Sequence, residues 1–398
     1  MKVLFLEWDS LCKGFMKKAL KKKGYEVVLF PFPRDTEDTK RSEKLTLSIT
    51  EELLKGGYDF LFSFNYFPVA AIAAKACKVT YVSWVYDSPF IQLYSETIKY
   101  ETNRVFIFDS GEYLRLKSLG VNTVHFLPMA APAEYYQELI SNTADKSKYK
   151  SDITFVGSTY TEMSHYKFHY LDDLDEYTKG YLNGAIHAQK SVYGMNFIES
   201  ILTPEIVENM RKVCPLYNSG DGFETVEWIF ATYFIDQKIT AIERAEILNM
   251  LSKEHQVNLY TPEPTPTLPN VRNLGEVNPY TEAPLVFNSS KINLNISLRS
   301  ILNGIPLRAM DIMGSKGFLL TNYQSDFLEF FSPGEDFVYY ESYENLMEKT
   351  DYYLSHDKER MEIADNGFEK IKKSHSYEDR IDIMLAKHEY NTRFSIDN

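Results

Sequence analysis

The chain has 398 residues, 44% hydrophobic and 25% charged, ordinary usage for a globular protein with room for two or three separate cores. Its formal net charge of −13 sets aside a general nucleic-acid binder and a protein held on anionic lipid by its whole surface. Three cysteines, Cys12, Cys77 and Cys214, have no paired spacing, which sets aside a disulfide framework and a zinc site and fits a reducing cytoplasm.

The N-terminus, MKVLFLEWDSLCKG, meets acidic charge at Glu7 and Asp9 after a short apolar run, so it reads as a first strand and not as a signal peptide. No apolar stretch reaches the length of a transmembrane helix. Strands are predicted at 2–6, 26–30, 60–64, 79–84, 104–108 and 123–127, with helices between them at 12–23, 42–54, 68–76, 92–100 and 112–119. Such alternation implies a parallel sheet covered on both faces with right-handed crossovers. The first helix carries Lys13, Lys17, Lys18, Lys21, Lys22 and Lys23 opposite an apolar face. A solvated helix face is the plain reading, and steering of an anionic acceptor or peripheral contact with a membrane is the functional one. The strand ends present Glu7, Trp8 and Asp9, then Asn65 and Tyr66, then Asp87 and Ser88, then Asp109. Ligands of open α/β sheets bind at such ends.

A polar stretch at 141–150 reads as a linker, and a new strand at 152–156 runs into Gly157 and Ser158. Residues 160–235 show no clean strand and read as a helical insertion. The alternation then resumes with a helix at 236–253, a strand at 257–260, the turn-rich PEPTPTLPN, a strand near Val271 and a helix after Pro279. A strand at 292–296, a helix from Pro306, a strand at 317–321, a short helix at Ser325 and a strand at Phe337 follow. The expected architecture is α/β, with two Rossmann-like domains, 1–148 and 149–376, facing across a cleft, and a last helix over 377–398 crossing back onto the first. Neither domain's first strand leads into G-x-G-x-x-G, which disfavours a dinucleotide-dependent oxidoreductase.

The stretch 293–321, NLNISLRSILNGIPLRAMDIMGSKGFLLT, is the most informative. It places Arg299, Arg308 and Asp311 around one helix whose N-terminus opens at the edge of a parallel sheet, where a phosphate is the usual guest. Gly157 and Ser158 sit where a strand-to-loop turn lets backbone N–H groups approach a pyrophosphate. The same residues also fit an ordinary strand-loop-helix unit, with Arg308 paired to Asp311 at i, i+3. Asp87 is the candidate catalytic base, beside Trp84, whose ring could stack on a sugar; capping of the following helix is the rival role. Glu7, Asp9 and His125 are alternatives by position. The only Asp-x-Asp, Asp173 and Asp175, lies in an acidic run that reads as a solvated helix face, and His165 and His169 have helical spacing but no third ligand nearby.

The ordered set SWVYDSPF at 83–90, FIFD at 106–109, FLPMA at 126–130, FVGS at 155–158, SKINLNIS at 290–297, NGIPLRAMDIMGSKGFLLTNYQ at 303–324 and YYLSHDKERMEIADNG at 352–367 resembles the CgeB-like glycosyltransferases. These are GT-B-fold enzymes of bacterial spore-surface and cell-surface polysaccharide loci. The resemblance runs from about residue 79 to 385 and covers the insertion least. It implies a nucleotide-sugar donor held by the second domain through Gly157, Ser158, Arg299, Arg308 and Asp311, with Arg299 and Arg308 as candidates to neutralise the leaving group, and a surface glycan, lipid-linked or protein acceptor served by the first. Asp311 stands where such enzymes carry the carboxylate for the ribose hydroxyls, and many relatives have Glu there. It further implies catalysis without metal or other cofactor, a hexosyltransferase-like activity and a cytoplasmic enzyme that could work at the inner face of the membrane. A nucleotide-sugar-binding scaffold, an epimerase and a phosphorylase are the other readings that the same fold admits.

Overall fold

The computed structural model describes residues 1–33, 36–160, 166–216 and 220–386. They form two compact units, one from the described residues within Met1–Ala130, Asn218–Glu224 and His375–Asn398, the other from those within Ala131–Tyr217 and Thr225–Ser374.

The first unit holds β1 (Lys2–Glu7), β2 (Glu26–Pro31), β3 (Phe60–Phe64), β4 (Thr80–Val85), β5 (Asn103–Ile107) and β6 (Val124–Phe126). All pairings are parallel and the order is β2-β1-β3-β4-β5-β6, so the strand order reverses between β1 and β3. Every residue of β3, FLFSF, is buried, as a central strand covered on both faces requires, whereas the edge strand β2 keeps part of itself in water. Helix starts follow local chemistry: Ser42 caps Glu43–Leu54 through the Leu45 N–H at 3.2 Å, and Asp109 caps Ser110–Ser118 through Gly111 at 2.9 Å. The helix expected over 92–100 is instead two 3-10 turns, Ile91–Tyr94 and Glu96–Lys99, because Ser95 between them is extended and its hydroxyl caps the second at 3.3 Å. The tail helix Tyr377–Leu385 opens with a capping box from Ser376 and Asp379 and packs on the helix Lys13–Lys22. The rest of the expected 377–398 helix lies outside the described residues.

The second unit holds β7 (Ser151–Val156), β8 (Val257–Tyr260), β9 (Arg272–Asn273), β10 (Ser290–Asn295), β11 (Leu319–Asn322) and β12 (Val338–Tyr340), parallel in the order β12-β11-β10-β7-β8-β9. Its reversal falls between β7 and β10. Ile153, Phe155, Ile292, Leu294 and Leu320 form the core with Ile247 and Leu248 of the helix Asp236–Leu251. Each such buried side chain contributes ~1.5–3 kcal/mol of transfer free energy. The insertion is helical, with Glu176–Lys190, Ile198–Ile201, Pro204–Arg211 and Val226–Phe230. The last of these runs through one π turn, Ala231–Ile235, straight into Asp236–Leu251. Asp175 is an N-cap, its oxygens taking the Thr178 N–H at 3.0 Å and hydroxyl at 2.7 Å, so the acidic run serves helix initiation.

The division between units at Ala130 and Ala131 lies upstream of the linker read from sequence at 141–150. The reason is the helix Ala133–Asn142, which packs on Ala283–Ser289, Leu307–Gly314 and Asp357–Ser374 of the second unit. Nothing in its local pattern states that partner.

Candidate functional site

At the end of β7 the chain turns at Gly157, whose φ of 153° lies where L side chains rarely sit, and its N–H donates to Tyr260 O at 3.1 Å. The loop that follows is organised by Glu263, which comes from the end of β8 and is 8% exposed. Its carboxylate accepts from the Thr159 N–H at 2.9 Å, the Thr159 hydroxyl and Tyr166 hydroxyl each at 2.8 Å, and the Ser158 hydroxyl. The Ser158 hydroxyl oxygen in turn accepts from the Tyr160 N–H at 3.1 Å. Ser158 is thereby fixed in orientation, and Glu263 is a member of the site that the sequence reading passed over as part of a turn-rich segment.

Arg244, buried on the helix Asp236–Leu251, ties the two strands at the reversal together. Nη1 donates to Ser158 O at 2.7 Å after β7, and Nε and Nη2 donate to Ile296 O at 3.2 and 2.7 Å after β10. The guanidinium lies 5.2 Å from the Phe155 ring centre and 5.0 Å from that of Tyr160. Among the described residues its hydrogen bonds go to main-chain carbonyls and not to a carboxylate, so a positive charge remains at the strand ends. Arg244 was not singled out from the sequence, where it reads as one more charge on the helix over 236–253.

Arg308 and Asp311 stand on the helix Leu307–Gly314, with Pro306 as its N-cap residue. Arg308 lies 5.5 Å from the centre of the Phe287 ring. Burial holds its pKa below the usual arginine range and the charge of Arg244 adds to this, while Asp311 opposes it. Burial pushes Asp311 up to about 6, against the pull of Arg308 and of the Tyr136 hydroxyl, which donates to Oδ1 at 2.9 Å. The two residues expected at this helix therefore share one electrostatic neighbourhood with Arg244.

Arg299 is placed otherwise. Nε donates to Glu243 Oε2 at 2.7 Å, Nη2 to Glu243 Oε1, Nη1 to Val192 O at 2.9 Å and Nη2 to Lys190 O at 3.3 Å, over the Tyr193 ring at 4.4 Å. Four of its five N–H donors point into protein, and through them Arg299 ties the insertion to the loop after β10. Asp236 joins this cluster, fully buried, with the Asn196 side-chain amide donating to both oxygens at 2.9 Å. Burial raises its pKa to about 7.

In the first unit, Asp87 follows β4, is exposed, and accepts from the Asn65 amide at 2.7 Å. Asn65 itself has φ 57° and takes the Tyr86 and Asp87 N–H groups on its Oδ1 at 3.2 and 3.4 Å. Asp87 does not cap the next helical turn, whose N-cap residue is Phe90. Trp84 cannot stack on a ligand, being fully buried. Glu7 pairs with Lys17, and Asp9 with Lys13 at 3.2 Å. Lys22 pairs with Glu378 at 3.0 Å and Lys23 with Asp382, so much of the basic helix's charge is met within its own unit. His125 is half-buried against Phe106 with its pKa pushed down by burial, which favours packing over acid-base work. His165 lies outside the described residues, and the one trio able to offer metal ligands among those described joins Glu254 and His255, just before β8, to Asp351 of the helix Tyr343–Ser355.

A sequence-family profile described as glycosyl transferase-like matches residues 243–386. Those residues hold Arg244, Glu263, Arg299, Arg308 and Asp311. Over that stretch the chain is similar to glycosyl transferase-like domains. No curated protein sequence matches it. Among solved structures, HepE of Anabaena in complex with UDP-glucose has a TM-score of 0.55 at 12% identity, covering 98% of this chain and 100% of that one. Sucrose-phosphate synthase of Thermosynechococcus elongatus scores 0.54 at 10% identity over 97% of each chain. A UDP-forming α,α-trehalose-phosphate synthase of Burkholderia xenovorans scores 0.53 at 12% identity over 97% and 98%. At these identities the likeness establishes the fold, which is GT-B. The matched stretch begins one residue before Arg244 and so takes in Arg244 and Arg308, while Gly157 and Ser158 lie upstream of it.

Proposed function

We propose that the protein is a glycosyltransferase that moves a sugar from a nucleotide-diphosphate donor, held by the second unit, to a surface glycan, lipid-linked or protein acceptor received by the first. The observation that carries this reading is the positive charge of Arg244 and Arg308 at the reversal of the second sheet, inside the stretch that matches the glycosyltransferase-like profile. Two of the similar structures name UDP-glucose or a UDP-forming reaction, which makes a UDP-sugar the first donor to test. CgeB-like membership, drawn from the ordered motifs, belongs to the same proposal, as does a hexose as the sugar moved.

In this reading the Gly157–Ser158 turn approaches the diphosphate and Asp311 accepts the ribose hydroxyls. The bond from the anomeric carbon to the phosphate oxygen breaks, and the diphosphate leaves with the electron pair. The acceptor oxygen forms the new bond and gives its proton to Asp87. Arg308 and Arg244 stabilise the charge that grows on the leaving group, work that preorganised cations perform without a metal ion. The three cysteines are unpaired, which supports a reducing compartment, and among the described residues no helix is long and apolar enough to cross a membrane. A cytoplasmic reaction, drawn from the resemblance, belongs to the same proposal.

The test is titration calorimetry with UDP and UDP-glucose. Arg308→Ala should weaken binding about tenfold or more, the worth of one charge-assisted bond, while Asp87→Ala should bind donor normally and transfer slowly. Unchanged affinity in Arg308→Ala would move the phosphate elsewhere. Free UDP released only when acceptor is added separates a transferase from a binding protein.

A further inference from the structure

The ends of β1, β3 and β4, adjacent in the first sheet, carry an aromatic platform that the functional reading has not used. Trp8 follows β1 and Tyr86 follows β4; their rings are parallel to within 5°, with centroids 6.3 Å apart. Phe67 meets Trp8 edge-on at 6.0 Å, and Phe64 meets Tyr86 edge-on at 5.8 Å. The indole N–H of Trp8 donates inward to Phe64 O at 3.1 Å. What Trp8 offers outward is therefore apolar ring surface held in one orientation. The chain has three tryptophans, and Trp84 and Trp228 are 0% and 2% exposed, so Trp8 is the one that reaches solvent. Beside the rings stands Asp87, set in place by Asn65, with Glu7 and Asp9 at the end of β1.

We infer that Trp8 and Tyr86 bind the terminal pyranose ring of a neutral glycan acceptor. A pyranose has an apolar face of C–H groups and a rim of hydroxyls, and a rigid aromatic face next to a fixed carboxylate and amide matches both. An anionic lipid headgroup would meet the Asp87 carboxylate beside the rings, and Lys13 and Lys17 there are already engaged by Asp9 and Glu7. A peptide adding as a strand needs an open sheet edge, and β1, β3 and β4 are all interior strands. Because the inference rests on the glycosyltransferase reading, its test must separate the two.

The full chain would be titrated, with UDP present, against neutral trisaccharides of glucose, galactose and N-acetylglucosamine, reading tryptophan fluorescence. A saturable change in emission is expected from Trp8, with affinity lowered about tenfold in Tyr86→Ala by the same signal and in Trp8→Ala by calorimetry, since a stacked ring is worth roughly one decade. Melting temperatures check that both variants fold, and calorimetry with UDP should give unchanged donor affinity in both. Saccharide affinity indifferent to both substitutions, or no saccharide binding at all while UDP binds, overturns the platform and leaves the transferase reading in place. Turnover of UDP-glucose only with vesicles carrying an anionic lipid-linked acceptor also overturns it. Failure of UDP and UDP-glucose to bind the wild type would sink both readings.

Discussion

Glu243 and Arg299 meet through two hydrogen bonds with their side chains 3% and 10% exposed, in a place where a lone charge has no water to turn to. Glu243→Leu alone should cost about 3–5 kcal/mol in urea unfolding, because it strands a buried guanidinium. The double change Glu243→Leu, Arg299→Met should recover most of that loss; if it is as unstable as the single variant, the cost comes from packing and not charge. Asp236 makes a pH prediction. Its folded pKa, about 7, lies above its ordinary value of 3.8, so folding takes up a proton between those limits. Stability therefore falls as pH rises from about 4 to about 7 and then levels, by as much as about 4 kcal/mol. Asp236→Asn should raise the melting temperature more at pH 8 than at pH 5, and an equal rise at both would contradict the buried-acid account. Asp311 works in the opposite sense for ligand. Protonation as pH drops through about 6 removes a hydroxyl acceptor, so donor affinity should decline below that pH in wild type and stay flat in Asp311→Asn.

Helix Asp357–Ser374 shows how an element is set against a sheet by one missing side chain. A Cβ on Gly367 would stand 2.4 Å from Asp336 O, a main-chain atom that has no room to yield. Gly367→Ala should therefore destabilise by about 1–3 kcal/mol, in spite of alanine's better helix propensity, and a urea midpoint at or above wild type would refute the close approach. Gly317 has the same reason to be glycine, its Cβ falling 2.8 Å from Phe287 O before β11. Both glycines belong to the stretches that carry the family resemblance, and packing explains them without appeal to chemistry. The helix Asp236–Leu251 is the counter-example, since its buried face carries Asp236, Glu243 and Arg244. A face with that much buried charge has little amphipathic contrast, so its inward side is hard to read from periodicity.

For the whole molecule, a ligand that binds only the folded chain must raise its melting temperature. At a concentration of 100 times Kd the gain is about 2.7 kcal/mol, enough for a clear thermal shift. A screen of UDP, GDP, ADP and dTDP should give one responder, expected to be UDP; equal silence from all four would count against a nucleotide donor. Each unit is a complete six-stranded parallel sheet with its own reversal of strand order, between β1 and β3 in one and β7 and β10 in the other. The candidate donor residues gather at the second reversal and the candidate acceptor residues at the first, as the ligand rule for open α/β sheets leads one to expect.

The sequence by itself determined the α/β class, all six strands of each sheet to within a few residues and the helical character of the insertion, because strand alternation, capping residues and prolines are local signals. It also pointed to Arg308, Asp311, Gly157 and Asp87 as strand-end chemistry. Only the tertiary structure decided which charges are used up inside the protein. Arg299 and Arg244 look equivalent in the chain, yet one is closed in by Glu243 and the other spans two carbonyls at the strand ends. Trp84 and Trp8 look equally able to stack, yet one lies in the core and the other at its edge. Partner choice of this kind depends on contacts between residues far apart in sequence, and no local pattern encodes them.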